Sequence, residues 1–222
     1  MNETLEQNAT IKVDLFEDFI CPWCRIGRAN LRIAIDRWDA STVEVRHRPF
    51  LLDPEIPPEG YDYHAYLSYK FGGNADRVND AVIAAGNVAG VVFDFPRMRF
   101  LPNTIAAHML VEQAPADVRE SVVQDLYAAH WVEMRNIGDL EVLADIAGRH
   151  GVDANLARNL KPDHPARKRV AGAMREAQQL GITGVPFFVF DDRYGVSGAQ
   201  PPDSLAQILT MTLEPDENET AR

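Results

Sequence analysis

Cysteine is nearly missing from this chain of 222 residues, for Cys21 and Cys24 are the whole supply. A disulfide-stapled secreted scaffold draws on several pairs, so that class is excluded. A structural zinc site needs four Cys or His ligands, and neither a second Cys pair nor a closely spaced His pair exists to complete one. Long apolar runs are missing too, and none approaches the ~18 residues of a membrane span. The opening residues, MNETLEQNAT, hold no basic region and no apolar stretch, so no secretory signal is expected and a cytoplasmic location is. Positive charge is scarce, with 22 Lys and Arg against 33 Asp and Glu and a formal net charge of −11. Nucleic acid and anionic membrane carry the same sign and make poor partners. Internal repeats and low-complexity tracts are absent.

What is present is chain enough for one large domain or a domain with an insertion. Hydrophobic content of 46% and charged content of 25% are those of an ordinary globular protein. IKVDLF (11–16) alternates Ile11, Val13 and Leu15 with polar residues and predicts a strand. Gly27, Leu31, Ile35 and Trp38 predict a helix starting at Pro22, and TVEVRHR (42–48) predicts a second strand. Strand, helix, strand is a βαβ unit, which in one sheet should be parallel and right-handed. Prolines break the pattern at FLLDPEIPPEGYD, and the following ~120 residues carry helical spacing almost throughout. Asn103 is a candidate N-cap. Val123, Leu126, Tyr127, His130 and Met134 mark one long helix, and Leu140, Leu143, Ala144 and Ala147 mark another ending near Gly151. A further helix opens at Pro165, with Gly181 as its stop. VPFFVF (185–190) and YGVSG return to strand, and Pro201–Pro202 open a last helix. The two β pieces are each too small to bury a sheet, so one sheet built from both is expected, with the helices inserted between them. The tail, EPDENETAR (214–222), is acidic and is expected to be flexible.

Cys21-Pro22-Trp23-Cys24 stands where the first strand hands over to the first helix. Unpaired amides and the positive end of the helix dipole favour an anion there, and a thiolate is one. Pro22 is tolerated at the first helical position because its missing N–H would have no partner. Cys24, one turn on, can close a short disulfide with Cys21. Cys21, nearer the exposed end, is the expected nucleophile, and Cys24 the more buried resolving thiol. Far along the chain, GITGVPFF sets Pro186 at the mouth of a strand, a permitted place. A cis Val185–Pro186 bond would present the Val185 backbone to a peptide beside Cys21.

Five stretches carry a family resemblance: DFICPWCRIG, PFLLDPEIPPEG, LPNTIAAHML, IGDLEVLADIA and LGITGVPFFVFDDRYGVSGAQPPDSL. Together they resemble the thioredoxin superfamily, specifically its DsbA-like branch with a helical insertion and FrnE-type cytoplasmic oxidoreductases. The resemblance implies an α/β fold, a thioredoxin-like βαβ…ββα sheet with a large all-helical subdomain inserted. The sheet domain would take residues 1–53 and 179–213, the insertion 54–178, and the flexible tail 214–222. It implies redox activity at Cys21 and Cys24, a cis Pro186 facing them, and Asn103 lining the cleft from the helical side. Substrate contacts would fall on Pro22, Trp23, Asn103, Val185 and Pro186. Neither metal nor cofactor is implied. Partners would be disulfide- or thiol-bearing proteins or small thiols such as glutathione. Related kappa-class glutathione transferases and 2-hydroxychromene-2-carboxylate isomerases share the architecture. They carry a serine or lone hydroxyl in place of the pair, and Ser-Asp where this chain has Gly198-Ala199.

Plainer readings stand beside these. Two cysteines in a helix can be small core residues, since free Cys is often buried. His47, His108 and His130 read first as packed or hydrogen-bonded histidines, although His130 could border the cleft. His64, His150 and His164 read as surface or helix-end residues. Glu17 and Asp18 could relay protons to Cys24, but a solvated loop is the simpler expectation. Tyr61, Tyr63, Tyr66, Tyr69 and Phe71 read as helix packing, with any exposed remainder available to a homodimer or a client. The alternatives to dithiol redox chemistry are a glutathione-dependent transferase or isomerase using Cys21 alone, and a non-catalytic binder on the same fold.

Overall fold

The computed structural model describes residues 10–214, so the expectations for the first nine residues and for 215–222 lie outside it. The elements run β1 (Thr10–Glu17), α1 (Pro22–Asp36), β2 (Thr42–Pro49), β3 (Tyr61–Asp62), α2 (Tyr63–Phe71), α3 (Ala75–Val88), β4 (Phe100–Leu101), α4 (Ile105–Gln113), α5 (Ala116–Trp131), α6 (Leu140–Arg149), α7 (Ala154–Arg158), α8 (Ala166–Gln179), β5 (Phe187–Phe190), β6 (Tyr194–Ser197) and α9 (Pro202–Leu213). Among these residues one sheet is four-stranded, in the order β2–β1–β5–β6. β1 pairs parallel with β2 and antiparallel with β5, and β6 closes the edge antiparallel to β5. The first and last β pieces therefore share one sheet around β1.

Alternation along β1 sorts the layers. Ile11, Val13 and Leu15 face Leu31 and Ala34 of α1 and Leu205 and Leu209 of α9, with Phe188 and Phe190 of β5 beside them. Phe16 points to the opposite face, among Phe50, Ala177 and Ile182, where α8 covers the sheet. Each of these side chains contributes roughly 1.5–3 kcal/mol by leaving water. Most of the remaining buried residues form a larger core in the helical block, and it also takes in Phe19, Ile20, Cys21 and Cys24. The loop from β1 to α1 thus lies where sheet and helical block meet. α8 spans the same join, with Ala166 and Val170 in the helical core and Met174 and Ala177 under the sheet.

Three local features differ from the sequence reading. α5 stops at Trp131, and Met134 lies beyond it with a left-handed φ of 58°. The short helix α7 and the two-residue pair β3–β4 were not anticipated, because neither is long enough to show a period. α8 begins at Ala166 with Pro165 as its cap, and Gly181 ends it at φ 71°, the conformation a helix stop demands.

Candidate active site

Cys21 is the N-cap of α1, and its sulfur accepts a hydrogen bond from the Cys24 N–H at 3.4 Å. This is the arrangement by which a helix start favours a thiolate. The Cys21 thiol also donates to the Val185 carbonyl at 3.5 Å, across 164 residues of chain. The Val185–Pro186 bond is cis. Gly27 makes the approach possible, since a Cβ there would stand 2.8 Å from Pro186 Cγ. Both cysteines are free thiols; Cys21 is 3% exposed and Cys24 0%, while Trp23 between them is 38% exposed. Burial pushes the Cys24 thiol well above its ordinary value, and the Cys21 sulfur and the Glu17 charge push it the same way.

Glu17 and Asp18 are not a solvated loop. They are 0% and 1% exposed, because α4 and α5 close over the end of β1. Glu17 accepts from Tyr127 Oη at 2.8 Å and pairs with Arg28, which also reaches Glu120. His47 Nδ1 lies 2.8 Å from Glu17, His47 Nε2 lies 3.1 Å from His108 Nδ1, and His108 Nε2 lies 3.4 Å from Asp18. The Leu52 N–H donates to the other Asp18 oxygen, and the Trp131 indole N–H donates to the Phe19 carbonyl. Phe19 packs against both imidazoles, stacked on His47 and tilted against His108. Burial pushes Glu17 up, but Arg28 and then His47 outweigh it and hold the carboxyl at about 2. Burial lowers His47, with Glu17 opposing.

The remaining residues singled out from sequence divide. Cys21, Cys24, Val185 and Pro186 come together, with Pro22 and Trp23 on the same turn. Asn103 caps α4 from one residue outside it, accepting from the Ile105 N–H at 3.0 Å, and donates to the Ile56 carbonyl. It borders a cavity of about 200 Å³ with Pro58, Met109, Gly138 and Lys161, and neither cysteine lines that cavity. His130 is buried against Trp131, edge to face. Burial drives its imidazole down to about 3. Tyr63 is buried while Tyr69 is 90% exposed. Arg28 went unnoticed in the sequence and Tyr127 was read only as a helix-face residue, and the single available signal was polar residues at inward positions.

The model of the DSBA-like thioredoxin domain matches residues 12–210. A probable DsbA oxidoreductase from Streptomyces coelicolor is 32% identical, with a TM-score of 0.84 over 93% of each chain. The uncharacterized protein YwbO of Bacillus subtilis is 25% identical over 90% of this chain and 96% of its own. The cytosolic disulfide reductase DsbM from Pseudomonas aeruginosa, solved with GSH, shares the fold at 19% identity, with a TM-score of 0.63 over 91% of this chain and 98% of that one. With a dithiol at a helix start, a sheet assembled from both ends of the sequence and a domain match over nearly its whole length, the chain belongs to the DsbA-like thioredoxin family.

Proposed function

We propose that this protein is a thiol–disulfide oxidoreductase that works through a mixed disulfide at Cys21. The observation that carries the reading is the position of the Cys21 sulfur, on the first amides of α1 and against the Val185 carbonyl. In the reducing direction the Cys21 thiolate attacks a substrate disulfide, forming one S–S bond and releasing one substrate thiolate. Cys24 then loses its proton and attacks Cys21. The second substrate thiol leaves, and two electrons have passed from the dithiol to the substrate. The oxidising direction is the reverse, and the reduction potential decides between them. The dithiol carries both electrons, so no cofactor enters the cycle.

Pro22, Trp23, Val185 and Pro186 form the substrate-contacting surface in this reading, with Asn103 on the helical side. The residues 54–178 act as a cover on the sheet domain of 1–53 and 179–213. Substrates are disulfide- or thiol-bearing proteins or small thiols such as glutathione, and the compartment is the cytoplasm. Among the described residues no helix is long and apolar enough to cross a membrane. The exposed Tyr69 leaves a surface on which two copies can meet.

Cys21→Ser and Cys24→Ser test the proposal with a glutathionylated peptide as substrate. Cys21→Ser should abolish turnover. Cys24→Ser should stall as a mixed disulfide, visible as a mass increase equal to the bound thiol. Full turnover by Cys24→Ser in the presence of glutathione would refute the dithiol cycle and assign the chemistry to Cys21 alone, as in a glutathione-dependent transferase or isomerase.

A further inference from the structure

Beside His130, near the end of α5, lies a small cavity of about 70 Å³. Its lining includes Arg97, Arg99, Arg135 and His130, with Met98 and Phe100, and no lining residue is acidic. On a chain of net charge −11 this is a local reversal of sign. Two of the guanidiniums have carboxylates nearby: Arg97 lies 3.7 Å from Asp94, and Arg135 lies 2.8 Å from Asp145 and 3.2 Å from Glu133. Arg99 is different. Among the described residues its partners are the carbonyls of Pro96 and Met98, at 2.6 and 3.2 Å, and His64 Nε2 at 3.4 Å; it has no carboxylate partner.

A second observation is independent of the arginines. His130 is 1% exposed, and its Nε2 is buried without a hydrogen-bond partner among the described residues. A buried ring nitrogen left unpaired loses its hydration without return, so such atoms normally face a ligand or an ordered water. Water takes about 30 Å³ in the liquid, and this cavity holds two waters or one compact oxyanion. Water satisfies His130 but brings no charge to Arg99. A carboxylate or phosphate oxygen does both, and the guanidinium fork suits either.

We propose that this cavity is a binding site for a small oxyanion, a carboxylate or phosphate group held between Arg99 and the buried Nε2 of His130, with Arg97 and Arg135 adding charge. The site is separate from the dithiol and does not depend on the redox reading. The imidazole serves as a neutral hydrogen-bond donor through Nε2–H, while the guanidiniums supply the charge. The next residue, Trp131, packs edge to face on the His130 ring and donates to the carbonyl of Phe19, two positions before Cys21.

The test is a titration of the full chain, labelled at histidine nitrogen, with inorganic phosphate in one arm and acetate in the other. The pH is 7 and the ionic strength is constant. Saturable movement of the His130 resonances is expected, with affinity at least tenfold weaker in Arg99→Gln. A response to phosphate alone identifies phosphoryl compounds as the source, and a response to acetate identifies a carboxylate such as a chain terminus. Arg97→Gln, at a side chain 66% exposed, provides a second variant that leaves packing alone and should weaken binding about threefold. Resonances that do not saturate, or the same titration curve in Arg99→Gln, would mean that the cavity holds only water and would overturn the proposal.

Discussion

Replacing Glu17 with Gln should separate two consequences of one buried charge. The side chain keeps its shape and loses its charge, leaving Arg28 buried with Glu120 as its remaining carboxylate. Breaking a buried ion pair costs about 3–5 kcal/mol, and because Glu120 is half exposed but still in contact the lower end applies. Proton linkage gives the same magnitude. The carboxyl is held at about 2 against an ordinary 4.5, and at about 1.4 kcal/mol per unit the difference is about 3 kcal/mol. The sign is that of a depressed acid. The stabilisation is fully present above pH 4.5 and is lost as pH falls from there towards 2. Urea denaturation at pH 7 should therefore show Glu17→Gln about 3 kcal/mol less stable than the parent, with the gap closing near pH 2. The second consequence runs the other way. Glu17 is one of the charges that keep Cys24 protonated, so the variant should ionise Cys24 at lower pH, though not at an ordinary value, because burial is the larger cause. Thiolate absorbance in a Cys21→Ser background reads this directly. A variant within about 0.5 kcal/mol of the parent at pH 7, or a Cys24 that ionises no earlier, would refute the account.

Two further predictions rest on single residues. His130 is held neutral down to about 3, whereas an exposed imidazole binds its proton near 6.5. Stability should fall as pH drops below 6.5, by about 1.4 kcal/mol per unit from this residue, or about 2 kcal/mol between pH 7 and pH 5. In anion-free buffer His130→Phe should flatten that slope, and an unchanged slope would clear His130 as the cause. Gly27→Ala would push a methyl group to 2.8 Å from Pro186 Cγ. Overpacking costs about 1–3 kcal/mol and alanine returns up to about 1 in helix propensity, so a net loss of stability of up to about 2 kcal/mol is expected. The displaced Pro186 should still lower disulfide turnover severalfold, and parental turnover would show that the Gly27–Pro186 contact is not part of the site.

The sheet was legible because its strands and its first helix carry clean periods. Ile11, Val13 and Leu15 alternate before Pro22, and the helical spacing begins at once after it. The dithiol was legible because both sulfurs lie within four residues. The acid–imidazole chain was not, because its members come from positions 17, 18, 47, 108 and 127, and polar residues beside a motif look solvated until something covers them. Two weak signals existed. His47 continues the face of Val43 and Val45 on β2, and His108 sits in the apolar run of LPNTIAAHML. A polar residue at an inward position needs a buried partner, and here the partners are each other and the acids. Asn103 shows the reverse case, where a cap was legible in the sequence and is found capping α4.

Two sulfurs three residues apart lie in opposite surroundings, and the helical block is what sets them apart. Cys21 caps the first turn of α1, taking the Cys24 N–H on its sulfur and giving its thiol hydrogen to the carbonyl of Val185. Cys24 is one turn deeper, fully buried, with the charge of Glu17 working against a second anion. Without α4 and α5 over it, Glu17 would meet water and its field would be screened, leaving burial and the Cys21 sulfur as the causes raising the Cys24 thiol. The chain from Glu17 through His47 and His108 to Asp18 begins at the carboxylate whose charge acts on Cys24. The helices over Glu17 therefore do more than bury it, because they hold its charge where it adds to the effect of burial on Cys24.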